Sequence, residues 1–310
     1  MAKPRSPKKA TEPAVAPESA RAASPFRIGI SGWTYAGWRG VFYPAKLPHK
    51  RELVYSSGRF NAIEINGSFY SLQRPSSYAS WRSSTPPGFV FSIKGSRFIT
   101  HMKKLRDPEV PLANFFASGL LALREKLGPI LWQFPPNLGF DEQRFDAFFR
   151  LLPRSTIAAA ELARNHDARL EGRAFYEPDA EREIRHCVEV RHPSFLVPAF
   201  FELLRRHQIA FVFADTAGKW PYSEDLTTDF VYIRLHGAEE LYASGYNDNA
   251  LDWWAERIRL WIKGRHPADA RLITPPTKPW RPLKELFVFF DNDAKVHAPF
   301  DAERLAARLR

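Results

Sequence analysis

The sequence predicts a single (β/α)8 barrel, or TIM barrel, in which eight parallel strands alternate with helices. Short apolar runs recur from Phe26 to the C-terminus, and segments with helical periodicity separate most of them. Such alternation requires right-handed parallel crossovers between the strands. Eight units within residues 26–310 match the usual length of this fold. Polar residues also follow nearly every strand at the same end, which is where such barrels place their sites.

A doubly wound open sheet is the alternative that the same alternation allows. That architecture normally carries a glycine-rich phosphate loop after its first strand. The first predicted strand is followed instead by Ser31-Gly32-Trp33-Thr34, which lacks this pattern. The barrel is therefore the preferred prediction.

Each strand is predicted from a short apolar run bounded by turn residues or by a helical pattern. The eight runs lie at 26–30, 62–66, 89–94, 129–134, 185–191, 209–215, 230–236 and 286–291. The second run alternates most clearly, because Ile63 and Ile65 face one way while Glu64 and Asn66 face the other. A buried carboxylate is costly unless its face of the strand opens onto a polar cavity.

The helices are predicted from apolar residues at helical spacing. They cover 51–60, 76–83, 112–127, a segment capped by Asp141, a segment capped by Ser194, the run 251–261 and the C-terminal residues to Leu309. Gly128 is suited to follow the end of the third helix. The charged segment Arg164–Arg185 and the proline-rich segment Pro267–Pro282 lack clear periodicity, so we expect an insertion or irregular structure there.

Charge and cysteine content limit the partners and the compartment. The net charge of +11 favours anionic partners such as nucleic acid or phosphorylated metabolites, and a basic soluble surface explains it equally well. Cys187 is the only cysteine, so we expect a cytoplasmic protein without an intrachain disulfide. Residues 1–25 are predicted to be a disordered basic tail, and residues 26–310 the barrel. No apolar run is long enough for a membrane span, and the sequence does not predict an oligomeric state.

Charged and amide side chains recur at the C-terminal ends of the predicted strands. They are Glu64 and Asn66, Lys94, Gln133, Glu189 and Arg191, Asp215, Arg234 and His236, and Asp291 with Asn292. A barrel that only had to fold would carry Val, Ile or Leu at these positions. The alternative is a buried ion network without function, which is a weak source of stability. Because the charges share one end, we favour a functional site.

The side chains at these ends suggest roles. We predict Glu64, Glu189, His236 and Asp215 as acid–base groups, although either glutamate could instead be a counter-ion for arginine. The predicted substrate-binding residues are Trp33, Asn66, Tyr70, Lys94, Gln133, Arg191, His192, Arg234, Asp291 and Asn292. Lys94 could contact an anion or form a Schiff base, and the anion contact is preferred because no sequence feature indicates a lowered pKa.

Histidines near the predicted mouth raise the question of a metal site. His101, His192 and His236 lie there, but no H-x-x-x-H or C-x-x-C spacing accompanies them. We therefore expect no metal and no other cofactor, with a divalent metal as the less favoured alternative. The preferred interpretation is that a histidine transfers protons or donates a hydrogen bond to an anion.

The same residues fall in blocks that resemble the YecE-like family, bacterial proteins of the DUF72 type. The blocks are Gly32-Trp33-Thr34-Tyr35 with Gly37-Trp38, Glu64-Ile65-Asn66 with Phe69-Tyr70, Lys94 with Arg97-Phe98-Ile99-Thr100-His101, Leu131-Trp132-Gln133-Phe134-Pro135-Pro136, Glu189-Val190-Arg191-His192-Pro193-Ser194, Asp215, Arg234-Leu235-His236-Gly237 and Phe290-Asp291-Asn292-Asp293. The resemblance spans about residues 26–300. It implies a TIM barrel and no established reaction.

Three functions are compatible with these observations. The preferred one is a hydrolase- or lyase-type enzyme that binds a small phosphate- or carboxylate-bearing substrate at the mouth of the barrel. Nucleic-acid binding or phosphodiester processing is the alternative, because the chain is basic and aromatic residues crowd the same loops. The third is a non-catalytic module that binds a metabolite. A glycosidase with paired carboxylates is a further enzymatic option.

Overall fold

The computed structural model describes residues 24–276 and 283–310, and it confirms the predicted barrel. Eight parallel strands close in sequence order. They are β1 Phe26–Ser31, β2 Ala62–Ile65, β3 Val90–Lys94, β4 Leu127–Gln133, β5 His186–Glu189, β6 Ala210–Asp215, β7 Phe230–Leu235 and β8 Glu285–Phe290. Pairing of β8 with β1 closes the barrel. Residues 1–23 of the predicted tail lie outside the described residues.

Helices surround this barrel and pack on the outward side chains of its strands. They are α1 Glu52–Arg59, α2 Gly67–Tyr70, α3 Pro75–Ser83, α4 Glu109–Ala117, α5 Glu142–Leu151, α6 Thr156–Ala163, α7 Pro198–Arg206, α8 Asp248–Trp261 and α9 His297–Arg308. In α8, Leu251, Trp254, Ile258 and Trp261 are buried on one face, as their spacing predicts. Within the described ranges, every helix is too short or too polar to cross a lipid bilayer.

Strand alternation divides the core into two parts. Outward side chains such as Ile63 and Ile93 belong to the large cluster between strands and helices. Inward side chains such as Ala210, Val212 and Tyr232 form a smaller cluster inside the barrel. This inner cluster fills the barrel below the strand ends, so only the C-terminal layer is left for polar groups.

One glycine explains why the predicted helix 112–127 is wrong in its second half. The helix α4 ends at Ala117, and Gly119 has a φ of +107°, where a Cβ would lie 2.6 Å from Cα of Pro75. A 3₁₀ helix over Leu120–Lys126 follows. Gly128 follows the end of this 3₁₀ helix by two residues, but it lacks the positive φ that a helix-ending glycine usually has. It lies inside β4, where a Cβ would lie 2.6 Å from Cγ1 of Val90.

The predicted cap at Ser194 is also wrong. The helix α7 begins at Pro198 after Val197, because proline is well suited to the first turn of a helix. Ser194 lies in the preceding 3₁₀ turn, where its Oγ accepts a hydrogen bond from the backbone N–H of Phe140 at 2.8 Å. Its side chain therefore fixes the loop after β5 rather than the helix.

The other caps and irregular segments agree with the sequence more closely. Asp141 caps α5 by accepting a hydrogen bond from the backbone N–H of Arg144 at 3.0 Å. The helix α6, capped by Ser155, was not predicted. The segment 164–185 is mostly irregular, with one 3₁₀ turn at Ala168–Leu170. Residues 267–276 form no helix or strand, and residues 277–282 lie outside the described chain.

Candidate functional site

The guanidinium of Arg234 is the centre of a buried ion network at the C-terminal end of the barrel. Glu64 accepts two hydrogen bonds from it, with distances of 2.8 Å from Nη2 and 3.1 Å from Nε. Glu189 accepts one from Nη1 at 2.7 Å, and Asp291 accepts one from Nη2 at 2.9 Å. Burial alone would lower the pKa of Arg234, but attraction to the three carboxylates raises it above its ordinary value.

The carboxylate of Glu64 is held from two further sides. Ser31 Oγ donates a hydrogen bond to Oε1 at 2.9 Å, and the Tyr232 hydroxyl donates one to Oε2 at 2.7 Å. Ser92 Oγ lies 2.7 Å from the same hydroxyl. Side chains from β1 and β7, and from β3 through the Tyr232 hydroxyl, thus fix the position of this carboxylate inside the barrel.

Glu189 is held in the same way by its neighbours on β4 and after β5. Its Oε1 accepts hydrogen bonds from Gln133 Nε2 at 2.7 Å and from Arg191 Nε at 3.0 Å. Burial raises the pKa of this carboxyl, but Arg234 and Arg191 lower it well below the ordinary value. Glu189 is therefore ionised at neutral pH and has the geometry of a counter-ion.

His236 lies beside this network and is fully buried. Its Nε2 is 3.3 Å from Arg234 Nη1, and its Nδ1 is 3.0 Å from Asp291 Oδ2. Burial raises the pKa of Asp291, but Arg234 and then His236 outweigh burial, and the pKa falls to about 2. His236 therefore contacts the network through both Arg234 and Asp291 and does not face open solvent.

A cavity of about 1110 Å³ opens at the strand ends next to the network. The predicted site residues that line it are Trp33, Asn66, Tyr70, Lys94, Gln133, Arg191 and Asp291. The lining also includes Tyr35, Lys50, Phe69, Trp81, Arg97, His101, Tyr242 and Asp293. Glu64, Glu189, Arg234 and His236 are buried behind this lining. The volume is sufficient for a small molecule of metabolite size.

Lys94 is the last residue of β3, and its side chain is buried at the cavity. Its Nζ lies 4.4 Å from the centre of the Phe69 ring. No carboxylate in the described part of the chain is close enough to form a salt bridge with it. Burial, and then repulsion from Arg234, lower the pKa of Lys94 to about 8. This amine is therefore partly neutral near physiological pH.

Asp293 and His101 are two further titratable groups at the cavity. Burial, and then repulsion from Asp291, raise the pKa of Asp293 to about 6. Burial, and then the charge of Lys94, lower the pKa of His101 to about 4. Asp293 can therefore exchange a proton near neutral pH, whereas His101 is neutral there.

Aromatic side chains form much of the rim. Trp33 packs edge-on against Trp81 with ring centres 5.3 Å apart. The guanidinium of Arg191 lies 3.7 Å from the centre of the Trp220 ring, and its Nη2 donates to the Tyr242 hydroxyl at 3.2 Å. These contacts, with the bond to Glu189, hold the Arg191 guanidinium at the edge of the cavity.

Three predicted site residues lie away from this cavity. Asp215 accepts a hydrogen bond from the Tyr246 hydroxyl at 3.0 Å and lines a separate depression of about 170 Å³. His192 Nδ1 lies 2.8 Å from Ser194 Oγ. Asn292 is buried and donates to Asp301 Oδ2 at 2.9 Å. The structure does not bring these three side chains to the main cavity.

The prediction also missed residues that line the cavity. Asp293 lies two residues after Asp291, and Arg97 lies three residues after Lys94. Their positions just after predicted strand ends could therefore have indicated both residues. Trp81 and Tyr242 lie on α3 and on the loop after β7, and no sequence pattern indicated them. Across the described ranges, no group of three or more His, Cys, Asp or Glu side chains is arranged to hold a metal ion.

Comparison with known proteins identifies relatives by sequence. YunF of Bacillus subtilis strain 168, a UPF0759 protein, is 29% identical over 114 residues, which are 35% of this chain and 39% of YunF. YecE of Escherichia coli K12, also a UPF0759 protein, is 26% identical over 112 residues, 36% of this chain and 38% of YecE. The alignments thus span about two fifths of each curated relative.

Solved structures and a family profile extend the similarity to nearly the whole chain. A DUF72 family protein from Thermotoga maritima is 25% identical with a TM-score of 0.68, over 92% of this chain and 98% of that one. A DUF72 family protein from Enterococcus faecalis shares the fold at 16% identity, with a TM-score of 0.63 over 92% and 95% of the two chains. The profile "Protein of unknown function DUF72" matches residues 27–310. The chain therefore belongs to the DUF72 family of proteins of unknown function.

Proposed function

We propose that this protein is an enzyme that binds a small phosphate- or carboxylate-bearing substrate in the cavity at the C-terminal end of the barrel. One observation carries the proposal. Lys50, Lys94 and Arg97 line the cavity, and none forms a salt bridge with a carboxylate of the described residues. Unneutralised cations in a cleft raise the local concentration of anions. A substrate phosphate or carboxylate would supply the missing counter-charge.

Arg191 is suited to orient that anion. Its Nε and Nη2 are occupied by Glu189 and Tyr242, and its Nη1 makes no hydrogen bond within the described chain. The stacked guanidinium is therefore held in place with one nitrogen available for a ligand. In this proposal Glu189 and Glu64 act as counter-ions that position the arginines, rather than as the acid–base pair that the sequence predicted.

Proton transfer is then assigned to Asp293. A general acid or base works best when its pKa is close to the operating pH. Asp293, with a pKa of about 6, fulfils this condition and lines the cavity. His236 has a positioning role in the proposal, since it contacts Asp291 from behind the lining. This division of roles fits hydrolase- or lyase-type chemistry.

Titration calorimetry with inorganic phosphate and with citrate tests the proposal. We expect both anions to bind the wild-type chain, and we expect Lys94→Met and Arg97→Gln each to weaken binding about tenfold, the usual value of one charge-assisted contact. Lys263→Met is the matched control, because Lys263 is exposed and outside the cavity. Absence of binding to wild type at low salt, or equal loss in the control, would contradict the proposal.

Nucleic-acid processing is the second candidate. Tyr70 is 68% exposed at the rim, and the Arg97 guanidinium lies 5.7 Å from the centre of its ring. An exposed ring with a cation beside it is the kind of platform on which bases stack. Binding of single-stranded DNA and RNA across a salt series, with Tyr70→Ala as the variant, tests this candidate. No binding at low salt would exclude it, and binding without turnover would favour a non-catalytic module.

A further inference from the structure

We infer that Lys94 is a nucleophile that forms a Schiff base with a carbonyl-bearing anionic substrate. The inference rests on the proposed function, because it names the substrate class of the same cavity. It assigns to the protein 2-oxo acids and phosphorylated aldehydes or ketones, which carry both a carbonyl and an anionic group.

The backbone of Lys94 is held firmly at the end of β3. Ser68 Oγ donates a hydrogen bond to the Lys94 carbonyl oxygen at 2.7 Å. Gly95 follows, and a Cβ at that position would lie 2.4 Å from the Trp132 ring. The chain at 94–95 is therefore packed against the indole, which directs the lysine side chain from a rigid strand end.

The surroundings of the amine distinguish a nucleophile from a simple anion contact. Its Nζ rests on the Phe69 ring, its side chain is buried, and the guanidinium of Arg234 adds positive charge nearby. The carboxylates of Glu64, Asp291 and Glu189 act in the opposite direction, but burial and Arg234 outweigh them. Desolvation and a neighbouring cation are the two means by which proteins favour the neutral form of lysine. Anion binding requires only the protonated amine, whereas a nucleophile also requires a neutral fraction. With a pKa of about 8, about a tenth of the amine is neutral at pH 7.

The step balances with groups that line the cavity. The neutral amine attacks the carbonyl carbon, the nitrogen loses a proton, and the carbonyl oxygen gains one, which gives a carbinolamine. The nitrogen lone pair then forms the C=N bond as the C–O bond breaks, and the hydroxyl leaves as water after accepting a proton from protonated Asp293. Amine, carbonyl compound and one proton thus yield an iminium and water. No oxidant, reductant or metal is consumed.

The rest of the cavity fits the second half of such a substrate. Arg97 and Arg191 line the same space and would hold its phosphate or carboxylate. Trp33 also lines the cavity, and its ring could contact an apolar or cyclic part of the substrate. An iminium withdraws electrons from the adjacent carbon, which is the chemistry that lyase-type enzymes with a reactive lysine use.

Reductive trapping tests the inference on the full-length chain. Pyridoxal 5′-phosphate, an anionic aldehyde, and pyruvate are each incubated with the protein and reduced with sodium borohydride. Intact mass and peptide mapping then locate the adducts. We expect one adduct per chain, mapped to Lys94, with a labelling rate that is highest near pH 7 and falls on both sides, because the step requires neutral Lys94 and protonated Asp293. Lys94→Arg is expected to lose this adduct at least tenfold, and Lys263→Arg, at an exposed position, is expected to retain it.

Phosphate binding, measured on the same samples, separates the two proposals. Phosphate binding without an adduct at Lys94 from either probe would overturn the Schiff-base inference and leave the anion site intact. Labelling spread equally over exposed lysines, or equal labelling of wild type and Lys94→Arg, would overturn it as well. If the wild-type chain neither binds phosphate nor is labelled, the proposed function itself is overturned. Peptide mapping of wild type alone still decides the matter if the arginine variant does not fold.

Discussion

Replacement of Lys94 by methionine should stabilise the protein at neutral pH. The fold lowers the pKa of this amine from 10.5 to about 8, so the protonated lysine opposes folding. A difference of this size corresponds to about 3 kcal/mol at pH 7. Methionine fills a similar volume, carries no charge and packs well on an aromatic ring. We therefore expect Lys94→Met to be more stable than wild type by up to about 3 kcal/mol.

The pH dependence of this difference provides a stricter test. As the pH rises from about 8 to about 10.5, native Lys94 releases its proton before the unfolded chain does, so the wild type gains stability relative to the variant. The advantage of Lys94→Met should then shrink to about 1 kcal/mol at pH 10. Urea unfolding at pH 7 and pH 10 measures both values, with the exposed Lys263→Met as control. A variant less stable than wild type at pH 7, or a difference that does not change with pH, would refute the reasoning.

Four further substitutions probe the network and the lining. Arg234→Met leaves buried carboxylates without their cation and should lower the free energy of unfolding in urea by roughly 3–5 kcal/mol. Glu64→Gln should lower it less, because glutamine keeps the shape of the side chain and Arg234 retains two other carboxylate partners. Equal losses in the two variants would argue against the central role of Arg234. Asp293→Asn should be more stable than wild type above about pH 6 and equal to it below about pH 4, because the raised pKa of Asp293 means that ionisation destabilises the fold; thermal unfolding across this range checks the sign. Gly95→Ala should cost about 1–3 kcal/mol, since its Cβ would collide with the Trp132 ring, and an unchanged unfolding midpoint would contradict the close packing.

Strand alternation explains which of the predicted side chains the structure brings together and which it does not. Glu64, Glu189, Arg234 and Asp291 lie on the inward face by the period of two, and the structure joins them in one network. On β6 the inward residues are Ala210, Val212 and Ala214, so Asp215 faces outward. His192 follows the inward residue Arg191, and Asn292 follows the inward residue Asp291. Their side chains therefore point away from the cavity for the same reason. Strict use of alternation would have excluded all three.

Other features depend on contacts that no local pattern encodes. The lowered pKa of Lys94 comes from burial at the cavity and from Arg234, a residue far along the chain. Trp81 and Tyr242 reach the cavity from a helix and a loop whose positions are set by tertiary packing. The break of α4 depends on the contact between Gly119 and Pro75, across the barrel exterior. The sequence could therefore predict which strand ends carry charge, but not which charges remain unpaired.

The most direct test of the anion-binding cavity is a crystal structure of the full chain soaked in phosphate at neutral pH. We predict tetrahedral density within hydrogen-bond distance of Lys94 Nζ and of the Arg191 or Arg97 guanidinium, with the Arg234 network unchanged behind it. Phosphate found only on the outer surface, with this cavity holding solvent alone at saturating concentration, would contradict the account.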